Sequence, residues 1–136
     1  MRLRITDLSA IQVDREIVAV HAEDASGSFG ILPGHADFLT ALAVSVVAWR
    51  DTDGHVGYCA VRNGILTVSG GNDVAIATRE AHVGDDLDLL ETQVLAGYRQ
   101  RTEADRTVRT GAAKLRMQAI RYMVEALDGR AAEIGL

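Results

Sequence analysis

The chain is poor in several residue types, and each shortage excludes something. A single cysteine, Cys59, rules out an intrachain disulfide and fits a reducing compartment. Aromatic residues make up only 4% against 48% hydrophobic residues, so a core must be built from Val, Ile, Leu and Ala. Basic residues are not in excess. The formal net charge is −5, which argues against nucleic acid or anionic membranes as general partners. No apolar run approaches the roughly 20 residues that span a bilayer, so no membrane insertion is expected. Met1 to Asp7 carries no signal-type apolar region and already alternates like a strand, which predicts a soluble, cytoplasmic chain.

Recognisable chemistry is also missing. No lysine stands in a phosphate-loop pattern, since Lys114 is the only lysine. His21, His35, His55 and His82 lack metal-ligand spacing and have no cysteine pair to join. Cys59 lies in an alternating stretch between Tyr58 and Ala60, where it reads as a packed small residue. Asp85, Asp86 and Asp88 lack the spacing of a calcium loop and suit a helix start. No catalytic residue, metal or cofactor is expected.

The chain does contain period-two alternation from residue 1 to about 84. Leu3 and Ile5, Ile11 and Val13, and Val18 and Val20 alternate with polar neighbours, and Val44 to Trp49 is almost continuously apolar. Asp53-Gly54, Asn63-Gly64 and Gly70-Gly71 punctuate the strands that follow, with no helical crossover between them. This predicts an antiparallel β-sandwich over 1–84. The period changes at Gly84. Leu87, Leu90, Val94 and Tyr98 recur at helical spacing, residues 106–111 interrupt, and a second helix carries Leu115, Ile120, Met123, Val124 and Leu127 until Asp128-Gly129. An antiparallel helical hairpin over 85–136 is the expectation. From Arg99 to Arg121 seven basic residues face only Glu103 and Asp105, which suggests an acidic partner or a solvated face.

The only proline, Pro33, falls with Gly27, Gly30 and Gly34 in one stretch that reads as a loop of defined shape. There the order Gly30-Ile31-Leu32-Pro33-Gly34-His35-Ala36, followed by Leu39-Thr40-Ala41-Leu42, resembles the epsilon subunit of the F-type rotary ATP synthase. Asn63 to Val68, Asn72 to Ala77 and Gly84 to Asp88 are similar to later segments of that family, in the right order. The resemblance covers about Leu3 to Leu90.

The resemblance implies a ten-stranded sandwich and a helical hairpin in a non-catalytic subunit of the central rotor stalk. It also implies binding to the gamma subunit and the membrane c-ring, on the cytoplasmic face of the inner membrane. Ser28, Gly30, Ile31, Leu32, Pro33, Gly34 and His35 match the docking foot. An exposed loop holding Ile31, Leu32 and rigid Pro33 suits docking, because little order remains to be gained. In bacterial relatives the hairpin can extend into the catalytic alpha/beta head and block hydrolysis; Arg109, Lys114, Arg116 and Arg121 match that region. The family's regulatory ATP motif is broken here, since Leu87-Asp88-Leu89-Leu90-Glu91-Thr92 puts Glu91 where an arginine would meet phosphate, so ATP binding is not expected. Ala36-Asp37-Phe38 also departs from the family pattern and leaves open a divergent branch, coupled to protons or to sodium. The competing reading is a free-standing β-sandwich binding module with a helical oligomerisation tail.

Overall fold

Alternation along the first part of the chain becomes strands whose inward side chains are almost wholly shielded from water. The computed structural model describes residues 1–133, with side-chain surroundings through Leu127. Nine strands form among the described residues: β1 (Arg2–Thr6), β2 (Ile11–Asp24), β3 (Gly27–Ile31), β4 (Phe38–Ala41), β5 (Ser45–Asp51), β6 (Val56–Arg62), β7 (Ile65–Ser69), β8 (Asp73–Ala77) and β9 (Glu80–Gly84).

One layer runs β4-β7-β8-β1-β2 and the other β3-β2-β5-β6-β9, so β2 belongs to both. Its first half pairs with β1, from Ile11 opposite Thr6 to Glu16 opposite Arg2. Its second half pairs with β3 and β5, after a register shift between Ile17 and Ala19 that bends the strand from one layer into the next. Counting the halves of β2 separately gives five strands per layer, which is how nine strands fill the ten-stranded plan. All pairings are antiparallel except β1 with β8.

Period two places one set of side chains between the layers. Leu3 and Ile5 of β1, Val47 of β5, Val61 of β6 and Leu66 of β7 are all fully buried there. Trp49 closes one end of this core by lying on Gly57, where an added Cβ would come within 2.4 Å of the ring. At the β6–β7 end the buried Arg62 reaches Glu80 at 3.3 Å, while the Thr78 hydroxyl donates to the Arg62 carbonyl at 2.7 Å. A buried cation is tolerable only with such partners. Burial pushes the Cys59 thiol up to about 12, as expected of a packed residue and not of a nucleophile.

After Gly84 the chain becomes helical without a break: α1 (Leu87–Leu89), a π-helical turn (Leu90–Val94) and α2 (Leu95–Glu133). Asp86 caps the start, accepting the Leu89 N–H at 3.3 Å. The expected hairpin does not form, because neither 106–111 nor Asp128-Gly129 ends the helix. The Thr107 and Thr110 hydroxyls donate to the carbonyls of Glu103 and Arg106, at 3.0 and 2.9 Å, and so fold back into the helix. Gly111 weakens a helix by about 1 kcal/mol relative to Ala, which is too little to break one that contains no proline.

The chain divides into two units, Met1–Arg99 and Gln100–Leu136. The first turns of the helix belong with the sandwich. Leu90, Leu95 and Tyr98 are buried there with Ala60, beside Val44, Val46 and Tyr58. Leu95 takes the place expected of Val94, which, like Leu87, stays half-buried.

Candidate functional site

The glycine-rich stretch is partly strand and partly turn. Gly27 to Ile31 pairs with β2, placing Ser28 opposite Glu23, Gly30 opposite His21 and Ile31 opposite Val20. Ile31 is therefore an inward residue, only 1% exposed. This corrects the expectation of an exposed apolar contact, since the strand's period turns Ile31 into the core and leaves Leu32 as the outward residue. Leu32 is 63% exposed. It borders a shallow open groove of about 630 Å³ shared with Val18, Trp49, Arg50 and Val56.

Pro33 and Gly34 form the centre of a β-turn closed by the His35 N–H donating to the Leu32 carbonyl at 3.2 Å. The positive φ of Gly34, 86°, belongs to the third position of a type II turn, where glycine is favoured. The turn is strapped to the β7–β8 turn. Gly34 N–H donates to the Gly71 carbonyl at 2.8 Å, and Asp37 Oδ1 accepts the Gly70 N–H at 3.0 Å. Asp37 thus supplies one of the two straps. The His35 ring stands 5.7 Å from Phe38, which meets Phe29 edge to face at 5.7 Å. Ser28, Gly30, Leu32, Pro33 and Gly34 are exposed along this edge, with His35 half-buried.

A second surface was missed in the sequence. On the outer side of the first layer, Ala41 of β4, Ile65 of β7, Ala77 of β8 and Thr6 of β1 fall in one row across the sheet. Ile65 is 49% exposed, and Leu39, two residues before Ala41 on β4 and opposite Thr67, is 70% exposed, giving an apolar patch on this layer. The alternation of Ile65 with buried Leu66 was a sufficient signal for Ile65. The row itself depends on strand order, which alternation does not state.

The four basic residues singled out in the sequence are exposed on α2. Helical spacing puts Arg109 with Arg116 in one column and Lys114 with Arg121 in another, on the two sides of an apolar seam. That seam, Ala113, Met117, Ile120, Val124 and Leu127, repeats every four and three residues, as in a helix made to pair with another helix. Glu91 is exposed in the π-helical turn. Asp51, Asp53 and His55 bring ligand atoms within 4.8 Å of one another at the β5–β6 turn. Turn geometry accounts for that cluster, because Asp51 Oδ1 accepts the N–H groups of Asp53 and His55 at 2.9 and 3.0 Å.

Comparison with known proteins agrees with this geometry. Residues 1–84 match the family model for the ATP synthase delta/epsilon chain β-sandwich domain. ATP synthase epsilon chain 2 of Paraburkholderia xenovorans is 43% identical over 128 residues, covering 93% of this chain and 92% of the relative. The epsilon chain 2 of Cereibacter sphaeroides is 38% identical over 129 residues, covering 94% and 88%. Among solved structures, the central stalk and c-ring of the Tetrahymena thermophila mitochondrial ATP synthase contains a chain with TM-score 0.56 at 17% identity, covering 80% of this chain and 91% of that one. That likeness concerns the fold alone. The family match over the sandwich and the identity along nearly the whole length lead to one conclusion: this chain belongs to the epsilon-chain family of the F-type ATP synthase.

Proposed function

We propose that the chain is a non-catalytic subunit of the synthase's central rotor stalk, joining the gamma subunit to the c-ring at the cytoplasmic face of the membrane. Family membership supports this, and one structural observation carries it: the same domain presents both a pre-ordered, strapped turn and an exposed apolar patch on β4 and β7. Leu32, Pro33, Gly34 and His35, with Ser28 and Gly30 on the adjoining edge, form the docking foot, and Ile31 anchors it from within. The patch of Leu39, Ala41 and Ile65 forms the contact with gamma. No helix among the described residues is long and apolar enough to cross a membrane, which accords with a peripheral place. The test is co-purification with the cognate gamma subunit. Leu39→Asp with Ile65→Asp should abolish it while leaving the sandwich folded; retention of gamma by that variant, or a stable self-oligomer without gamma, counts against the assignment.

The two basic columns fit acidic segments of the catalytic head, and like charges on both sides of the seam oppose pairing with a second copy. Arg109, Lys114, Arg116 and Arg121 therefore serve as a brake on ATP hydrolysis. A chain stopped after Arg99 keeps Leu90, Leu95 and Tyr98 in place and is the proper truncation. The cognate complex carrying it should hydrolyse ATP faster than with the full chain, and reversal of the four charges should act in the same direction. Unchanged rates with both would leave the helix without this role. With Glu91 in place of a phosphate-binding arginine, regulatory ATP binding is not part of the function.

A further inference from the structure

Leu90 and Leu95 are five residues apart, yet both enter the same buried cluster with Tyr98 and Ala60. An α-helix brings residues i and i+4 onto one face, so a regular helix from Leu90 would carry Val94 there instead. The π-helical turn removes the conflict. Leu95 N–H donates to the carbonyl of Leu90, and the extra residue gives Leu90, Leu95 and Tyr98 the spacing of an ordinary helix face. The start of the helix is fixed by the Asp86 cap and by Leu90, seated so close to Gly84 that an added Cβ would meet its side chain at 3.2 Å. Thr92 lies within the π-helical turn, exposed, its hydroxyl donating to the Asp88 carbonyl at 2.7 Å.

Two registers therefore compete. The π register centres Leu95 and Tyr98 on the buried face, whereas the regular register would centre the smaller Val94 and Gly97 there and turn Tyr98 to the edge of that face, but needs no π-helical turn. We propose that this turn is a register switch, held by the seating of Leu95 and Tyr98 against β5 and β6. When those two side chains leave, the turn relaxes to regular α-helix. Residues Leu95 to Tyr98 then rotate by about 100° around the helix axis relative to Leu87 and Leu90. The inference uses residues 84–98 alone and stands whether or not the basic columns act as a brake.

Through-hydrogen-bond NMR couplings in the full chain report the register directly. The wild type should show Leu95 N–H coupled to the Leu90 carbonyl. In Leu95→Ala with Tyr98→Ala the coupling should move to the Glu91 carbonyl, a change of about tenfold or more in the ratio of the two registers. Persistence of the Leu90 coupling in that variant would overturn the proposal. Deletion of Thr92 gives an independent check, because it removes the extra residue while leaving both anchors in sequence. That variant should be regular α-helix throughout, with Tyr98 still buried and amide exchange across the former π-helical turn slowed about tenfold or more. Loss of Tyr98 burial on the deletion overturns the idea, since the anchors would then not be one residue out of register.

Discussion

Strands and helix treat their apolar residues in opposite ways. In the sandwich Leu3, Ile5, Val47 and Leu66 are 0% exposed, whereas on α2 Leu115, Ile120 and Leu127 are 68%, 55% and 63% exposed. The sequence is similarly apolar in both places, so composition does not separate them. What separates them is closure: each inward strand face meets a second layer, while the helical seam faces outward in its own unit. Residues of the first kind hold the fold, and residues of the second kind contribute little to it.

That contrast can be broken by comparing two truncations with the same chemistry. Leu66→Ala should destabilise the isolated chain by about 4 kcal/mol, while Leu115→Ala should change it by less than about 0.5 kcal/mol. Denaturant unfolding followed by Trp49 fluorescence measures both, since Trp49 is the only tryptophan. Equal losses would mean that the helix is as much a part of the core as β7. Next in size is Gly57→Ala, whose new methyl must displace the Trp49 ring from its 2.4 Å approach; a loss of about 3 kcal/mol and an altered emission maximum are expected.

Smaller effects sharpen the description of the docking edge. Asp37→Ala removes one strap from the turn at Pro33 and should cost about 1 kcal/mol, with Asp37→Asn, which keeps an acceptor, costing less. A gamma-binding assay on the same pair separates order of the turn from charge. The smallest expected effect concerns Asp7, held down to about 2 from an ordinary 3.8 chiefly by the Ser9 hydroxyl, then by the N–H groups of Ala10 and Ser9. Because its folded value lies below its unfolded one, its contribution is complete above about pH 4 and disappears as pH falls toward 2. Asp7→Asn should flatten the stability profile across that window and nowhere else.

The sandwich was legible in the sequence because alternation states which side chains face inward, and glycine and Asn-Gly pairs mark where strands turn back. The strapped turn was legible for a similar reason, as Pro33 and Gly34 determine a turn type by themselves. Ile31 was misjudged since a strand edge and a loop look alike when glycines separate the residues. The outward row of Ala41, Ile65 and Ala77 needs strand order, which arises from pairings between distant segments. The hairpin failed on a weaker signal: residues 106–111 contain no residue that forbids helix, and threonine hydroxyls can turn back onto the helix itself. The π-helical turn escaped notice because Val94 satisfies the helical period in the sequence as well as Leu95 does in the structure.

The sharing of β2 between both layers has a mechanical consequence. A load applied at the edge strand β3 reaches the opposite layer through β2 along one covalent backbone, without first crossing a face of packed side chains that could slip. The two layers are thus in series for such a pull, and the compliance of the body is set by the bend near Ile17 and Ala19. In the stalk role proposed above, this would give torque a stiff path through a small protein.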